Sequence, residues 1–95
     1  MLRHKSAIKR ARQDEKRYLR NRARKTRMKT AIKAVEMAML AKDPDLVMEK
    51  LREAMSIIDK TASKGTIHKN KAARKISRLN QRVNKFLASL NQQVA

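Results

Sequence analysis

DPDLVMEKLREAMSIIDKTASKG, residues 43–65, is the stretch that decides the fold. It opens on Asp43-Pro44, a side-chain acceptor suited to a helix N-cap followed by the residue best tolerated at the first helical position. It closes on Gly65, which supplies the left-handed conformation that ends helices. Between them Val47, Leu51, Met55 and Ile58 recur at helical spacing and form one apolar stripe, so the segment reads as a helix over 44–63. Pro44 and Gly65 are the only Pro and Gly among the 95 residues, and they divide the chain into three helical segments.

On the N-terminal side, Met28, Ile32, Val35 and Met39 continue the helical period, placing a first helix at about 5–42. Upstream the stripe thins: between Arg3 and Arg27 the only large apolar residues are Ile8, Tyr18 and Leu19. On the C-terminal side Thr66 is the expected cap of a third helix at about 67–92, with Ile76, Leu79, Val83, Phe86 or Leu87, and Leu90 as its stripe. Two short connections force neighbouring helices antiparallel. The expected fold is therefore all-α, a three-helix up-down-up bundle in one domain, 1–95. At 1.5 Å per residue the first helix would run about 57 Å and the second about 30 Å. The first must overhang, to around Arg22, which divides the chain into a basic helical extension over 1–25 and a bundle over 26–95.

Charge is partitioned along the same lines. The chain carries 26 Lys and Arg against 8 Asp and Glu, a formal net charge of +18. Residues 1–30 hold thirteen basic and two acidic groups, 31–63 five and six, and 64–95 eight and none. A compact monomer with this excess repels itself, so an anionic partner is expected, and nucleic acid is the densest common polyanion. Cysteine is absent, which excludes disulfides and thiolate metal sites. No apolar run approaches the roughly 20 residues of a membrane span. The basic N-terminus has no hydrophobic stretch after it, as a secretory signal would, and Asp14 and Glu15 interrupt any transit-peptide pattern. A cytoplasmic protein is expected.

A solvated helix face normally mixes Glu with Lys. Between Arg3 and Lys29, nine like-charged pairs fall at i,i+3 or i,i+4, against three attractive ones, Arg10–Asp14, Arg12–Glu15 and Asp14–Arg17. At 0.2 to 0.5 kcal/mol per pair the imbalance costs the isolated helix about 1 to 3 kcal/mol, and cations near a helix N-terminus oppose the macrodipole as well. The segment holding Arg3, Lys5, Lys9, Arg10, Arg12, Lys16, Arg17, Arg20, Arg24, Lys25 and Arg27 is therefore expected to become helical when phosphates supply the counter-charge. A second constellation, Thr66 to Lys71 followed by Arg74, Lys75 and Arg78, begins at a helix N-terminus, where Lys69, Lys71 and the donor of Asn70 complete an anion site. The topology brings both regions to one end of the bundle, as one positive tract.

Tyr18 and Phe86 are the only aromatic residues. Phe86 fits the core stripe, and Tyr18 reads equally as a residue stacking on RNA or one at the bundle edge. With so few aromatic platforms, recognition rests on phosphate and 2′-hydroxyl geometry, that is, on shape. His4 and His68 have no neighbouring acid or thiol at triad or metal spacing, and no glycine-rich phosphate loop exists. No enzyme, small-molecule substrate, cofactor or metal is expected. Glu36, Asp45, Glu49, Glu53 and Asp59 read as surface partners of Lys and Arg.

The segments KSAIKRARQ, NRARKTRMKTAIK and KGTIHKNKAARKISRLNQRVNK together resemble the bacterial ribosomal protein S-twenty family, most specifically in the run from Lys64 to Arg74. The resemblance implies a three-helix bundle with a long first helix that binds 16S ribosomal RNA directly during small-subunit assembly, with few protein contacts. It places contacts on the basic residues of helix one with Ser6 and Asn21, and on His68, Lys69, Asn70, Lys71, Arg74, Lys75 and Arg78. Arg3-His4 departs from the family's usual Asn-containing start. Phosphate neutralisation alone also suits a DNA-binding nucleoid or architectural protein, although no helix-turn-helix or basic zipper pattern is present. A membrane-surface helix would need a lipid-facing stripe that the extension lacks.

Overall fold

A computed structural model describes residues 2–94, with side chains described for 5–91. Three helices follow in order: α1, Leu2–Leu40; α2, Pro44–Ser63; and α3, Lys69–Val94. The second matches its expected limits. The first ends two residues before the expected Lys42, because the chain closes there in a Schellman turn: the Lys42 N–H donates to the Met39 carbonyl (3.1 Å) and the Asp43 N–H to the Ala38 carbonyl (3.4 Å). The residue in the left-handed position is Lys42, at φ 56°.

Asp43 caps α2 as expected, its carboxylate accepting from the Leu46 N–H at 3.2 Å. The far end of α2 closes in a second Schellman turn, with the Gly65 N–H on Ala62 (2.9 Å) and the Thr66 N–H on Thr61 (3.1 Å). Gly65 sits there at φ 77°, the conformation for which it was singled out. The start of α3 corrects the sequence expectation. His68, not Thr66, is the cap: its Nδ1 accepts from the Asn70 N–H at 3.1 Å, and its carbonyl accepts from Ala72. The Thr66 side chain is instead turned toward α1, its hydroxyl donating to Asn21 Oδ1 at 3.1 Å. The third helix accordingly begins two residues later than expected.

The apolar stripes meet in two clusters. One joins Val35 and Ala38 of α1 to Val47, Leu51 and Ala54 of α2 and Leu79 and Val83 of α3, with both Phe86 and Leu87 packed against it. The other gathers Met28, Ile58, Ile67 and Ala72 near the α2–α3 turn. Ile32 touches both clusters and joins them into one core. Val35, Val47, Ile58 and Val83 are fully buried, and each such side chain contributes roughly 1.5 to 3 kcal/mol by its removal from water. Buried Ala38, Ala54 and Ala72 lie outside the stripes read from the large residues, and their small side chains let the helices approach. Among the described residues the one buried polar side chain, Thr61, is satisfied: its hydroxyl donates to the Ile57 carbonyl at 2.7 Å.

Packing is uneven. Helix α2 lies against both neighbours, whereas α1 and α3, which run parallel, approach each other far less closely. The Cα trace measures 76 × 23 × 13 Å, and its radius of gyration of 18.9 Å exceeds the about 12 Å of a compact domain this long. The N-terminal half of α1 accounts for most of this. Every side chain from 5 to 20 is exposed, and the first buried one among the described residues is Met28.

Candidate nucleic-acid interface

The exposed stretch of α1 carries cations on more than one face. Lys5, Lys9, Arg12, Lys16 and Arg20 follow one another at spacings of three or four and so form one stripe; Ser6, Arg10, Arg17 and Arg24 form a second beside it. Lys25 and Arg27 are exposed on different faces again, and Arg3 lies outside the residues whose side chains are described. The three attractive pairs expected from spacing are not closed. Among the described residues the ion pairs are Arg82–Glu36 (2.9 Å) and Lys50–Glu53 (3.4 Å). Asp14 and Glu15 leave their neighbours unpaired because an exposed pair gains too little to hold two long side chains in one geometry. Glu36 and Glu53 do take the partner role expected of them.

Tyr18 is exposed and lines a shallow hollow with Asn21, Arg22, Lys25, Thr26 and Lys29. It therefore stands clear of the bundle edge, which removes one of its two readings. Arg22 and Lys29 join the tract in that hollow.

The basic stretch of α1 meets the α2–α3 turn. Arg17, Arg20, Asn21 and Arg24 of α1 line a cleft of ≈ 250 Å³ with Lys64 and Gly65. A smaller hollow of ≈ 140 Å³ adjoins it, sharing Arg24 and Lys64 and adding Arg27, Lys60, Thr61 and Ile57. The Thr66–Asn21 hydrogen bond fastens the turn to α1, and Arg24 NH1 lies 3.5 Å from the same Asn21 oxygen. Asn21 and Arg24 are half-buried as a result.

Lys60 and Lys64 do not stand out in the sequence, because they belong to the end of the balanced middle segment and the turn after it. Their i,i+4 spacing, which sets Lys64 just past the end of α2 in line with Lys60, is the available signal.

The α3 residues divide between two sides. Lys71, Arg74, Lys75, Arg78, Arg82 and Lys85 recur at helical spacing along one stripe. Arg82 of this stripe reaches Glu36, so the stripe is turned toward α1. All six are exposed except Lys75, which is half-buried. Lys69 lies apart, in a groove with Asp59 of α2 and the uncharged Ser77, Asn80, Gln81 and Asn84. His68 and Asn70 are exposed at the helix start, and the Nδ1 contact of His68 leaves its Nε2 free to carry the proton and donate outward.

The arrangement is one of donors and cations, suited to phosphate oxygens along an extended path. No group of three or more His, Cys, Asp or Glu among the described residues could hold a metal ion. No described helix is long and apolar enough to cross a membrane.

The sequence profile described as Ribosomal protein S20 matches residues 3–84. The chain is 56% identical over 84 residues to the small ribosomal subunit protein bS20 of Syntrophobacter fumaroxidans, covering 88% of this chain and 98% of that one. It is 58% identical over 83 residues to the proteins of the same name from Nitratidesulfovibrio vulgaris and Oleidesulfovibrio alaskensis, covering 87% of this chain and 95% of each of those. The matched span takes in the exposed half of α1, the turn with its cleft and most of α3, and on that basis the chain belongs to the ribosomal protein S20 family.

Proposed function

We propose that this chain is a structural component of the bacterial small ribosomal subunit that binds 16S ribosomal RNA directly and stabilises its fold during assembly, in the cytoplasm and with few protein contacts. One observation carries the reading. Residues 5–20 form a helix with no buried side chain and seven cations against two acids. Such a helix gains nothing from the protein that carries it; an RNA phosphate backbone on several sides supplies both the counter-charge and the packing. Membership of a ribosomal family supports the assignment of the partner. The interface residues proposed are the two α1 stripes with Asn21, Lys25 and Arg27, the α3 stripe from Lys71 to Arg78, and the start of α3 at His68, Lys69 and Asn70. Residues 1–25 are proposed to become fully ordered only on RNA.

Footprinting on small-subunit ribosomal RNA, with affinity followed as potassium chloride is raised, tests this. Protection of discrete RNA segments and a steep fall in affinity with salt are expected. Affinity that stays flat with salt would refute it. The DNA-binding alternative is decided by competition: duplex DNA displacing the RNA at fixed salt would reverse the assignment.

A further inference from the structure

We propose that the cleft between α1 and the α2–α3 turn is a two-walled phosphate clasp, in which Lys64, just past the end of α2, faces Arg17, Arg20 and Arg24 of α1 and Lys60 of α2 faces Arg24 and Arg27, so that one stretch of RNA backbone ties the overhang to the bundle. The proposal rests on the RNA-binding reading and assigns the two lysines a binding role.

The geometry carries it in three steps. Arg24 and Lys64 line both of the adjoining hollows, so the cations form one continuous site contributed by two helices. None of them is among the ion-paired residues. Like charges from two elements therefore converge without a carboxylate between them, an arrangement that an isolated protein does not favour. The larger hollow has room for about eight waters by liquid volume, enough to admit a phosphate group of five heavy atoms.

The remaining lining suits the same ligand. Asn21 Oδ1 is occupied by the Thr66 hydroxyl, so the Asn21 amide NH2 remains a donor. Gly65 has no side chain, and a Cβ built there would meet nothing within 4 Å, so the turn's backbone is open to close approach. Lysines at the end of α2 also complement its dipole, but that role needs no arginines facing them from α1. In the protein alone the Asn21–Thr66 bond is the one described side-chain hydrogen bond between α1 and the turn. A phosphate held from both walls adds a second tie and couples ordering of the overhang to RNA docking.

The test compares the full chain with a Lys60→Gln/Lys64→Gln double variant and a charge-matched control, Lys42→Gln/Arg52→Gln, at exposed positions away from the cleft. Helicity by circular dichroism checks folding, and Lys64→Gln alone serves if the double variant is not folded. The slope of log affinity for small-subunit ribosomal RNA against log potassium chloride should become shallower by about 0.7 to 0.9 for each lysine that contacts a phosphate, with the control unchanged. Independently of RNA, inorganic pyrophosphate at constant ionic strength should raise the Tm of the full chain saturably, and the double variant should lose that rise. A steep slope shared by the full chain and the double variant overturns the clasp alone, as does an equal pyrophosphate response. A flat slope for the full chain overturns the RNA reading and the clasp with it.

Discussion

Lys42 occupies the left-handed position of the turn between α1 and α2, at φ 56°, where an L side chain places its Cβ against the carbonyl oxygen at a cost of roughly 1 to 2 kcal/mol. Glycine removes that cost. It also makes the unfolded chain more flexible, which returns about 0.4 to 1 kcal/mol. The two Schellman hydrogen bonds are made by backbone groups and survive the substitution. Lys42→Gly is therefore expected to stabilise the protein by about 0.5 to 1 kcal/mol, a rise in Tm of roughly 2 to 8 °C for a domain this long. Thermal unfolding followed by far-ultraviolet circular dichroism measures it, with Lys42→Ala as the comparison that keeps a Cβ and gains little. Lys42 lies at the end of the bundle away from the cleft, so RNA affinity should stay constant. A Tm for Lys42→Gly equal to or below that of Lys42→Ala would refute the argument, because it would mean that the positive φ stores no strain.

Other substitutions separate core, cap and interface. Ile58→Ala removes a fully buried side chain from the cluster beneath the turn, and urea denaturation should show a loss of about 2 to 5 kcal/mol, a large share of the stability of a small domain. His68→Ala should cost about 0.5 to 2 kcal/mol by removing the cap of α3, while His68→Asn restores an acceptor and most of the stability. If both variants denature at the same urea concentration, the cap has been misassigned. Arg20→Ala leaves the fold intact, since the residue is exposed, and should flatten the salt dependence of RNA binding by about one unit of log–log slope. An unchanged slope would remove Arg20 from the interface.

Most of the architecture was legible in the sequence because it depends on neighbours three and four residues apart. The cap at Asp43, the glycine turn at Gly65 and the stripes through Val35, Leu51 and Leu79 are local patterns, and each appears where it was expected. The charge partition was likewise readable, since it is a matter of counting residues on either side of two breaks. The resemblance carried by Lys64 to Arg74 points to the family to which the chain belongs.

Tertiary contacts decided what local pattern could not. Thr66 is by type the better cap, yet its hydroxyl turns across to Asn21 of α1 while His68 Nδ1 accepts at the start of α3, a contact between residues 45 apart that no local pattern announces. The turn at Lys42 carries no glycine to announce it, yet the short link to the Asp43 cap requires the left-handed residue there. The α3 cations read as one face until the contacts of Arg82 with Glu36 and of Lys69 with the α2 groove set them on opposite sides. Lys60 and Lys64 look like the ordinary end of a balanced helix until α1 is laid beside them. Periodicity tells which face of a helix is apolar, whereas the rotation and approach of one helix against another come from the sum of packing contacts, and it is that approach which brings charges distant in sequence into one cleft.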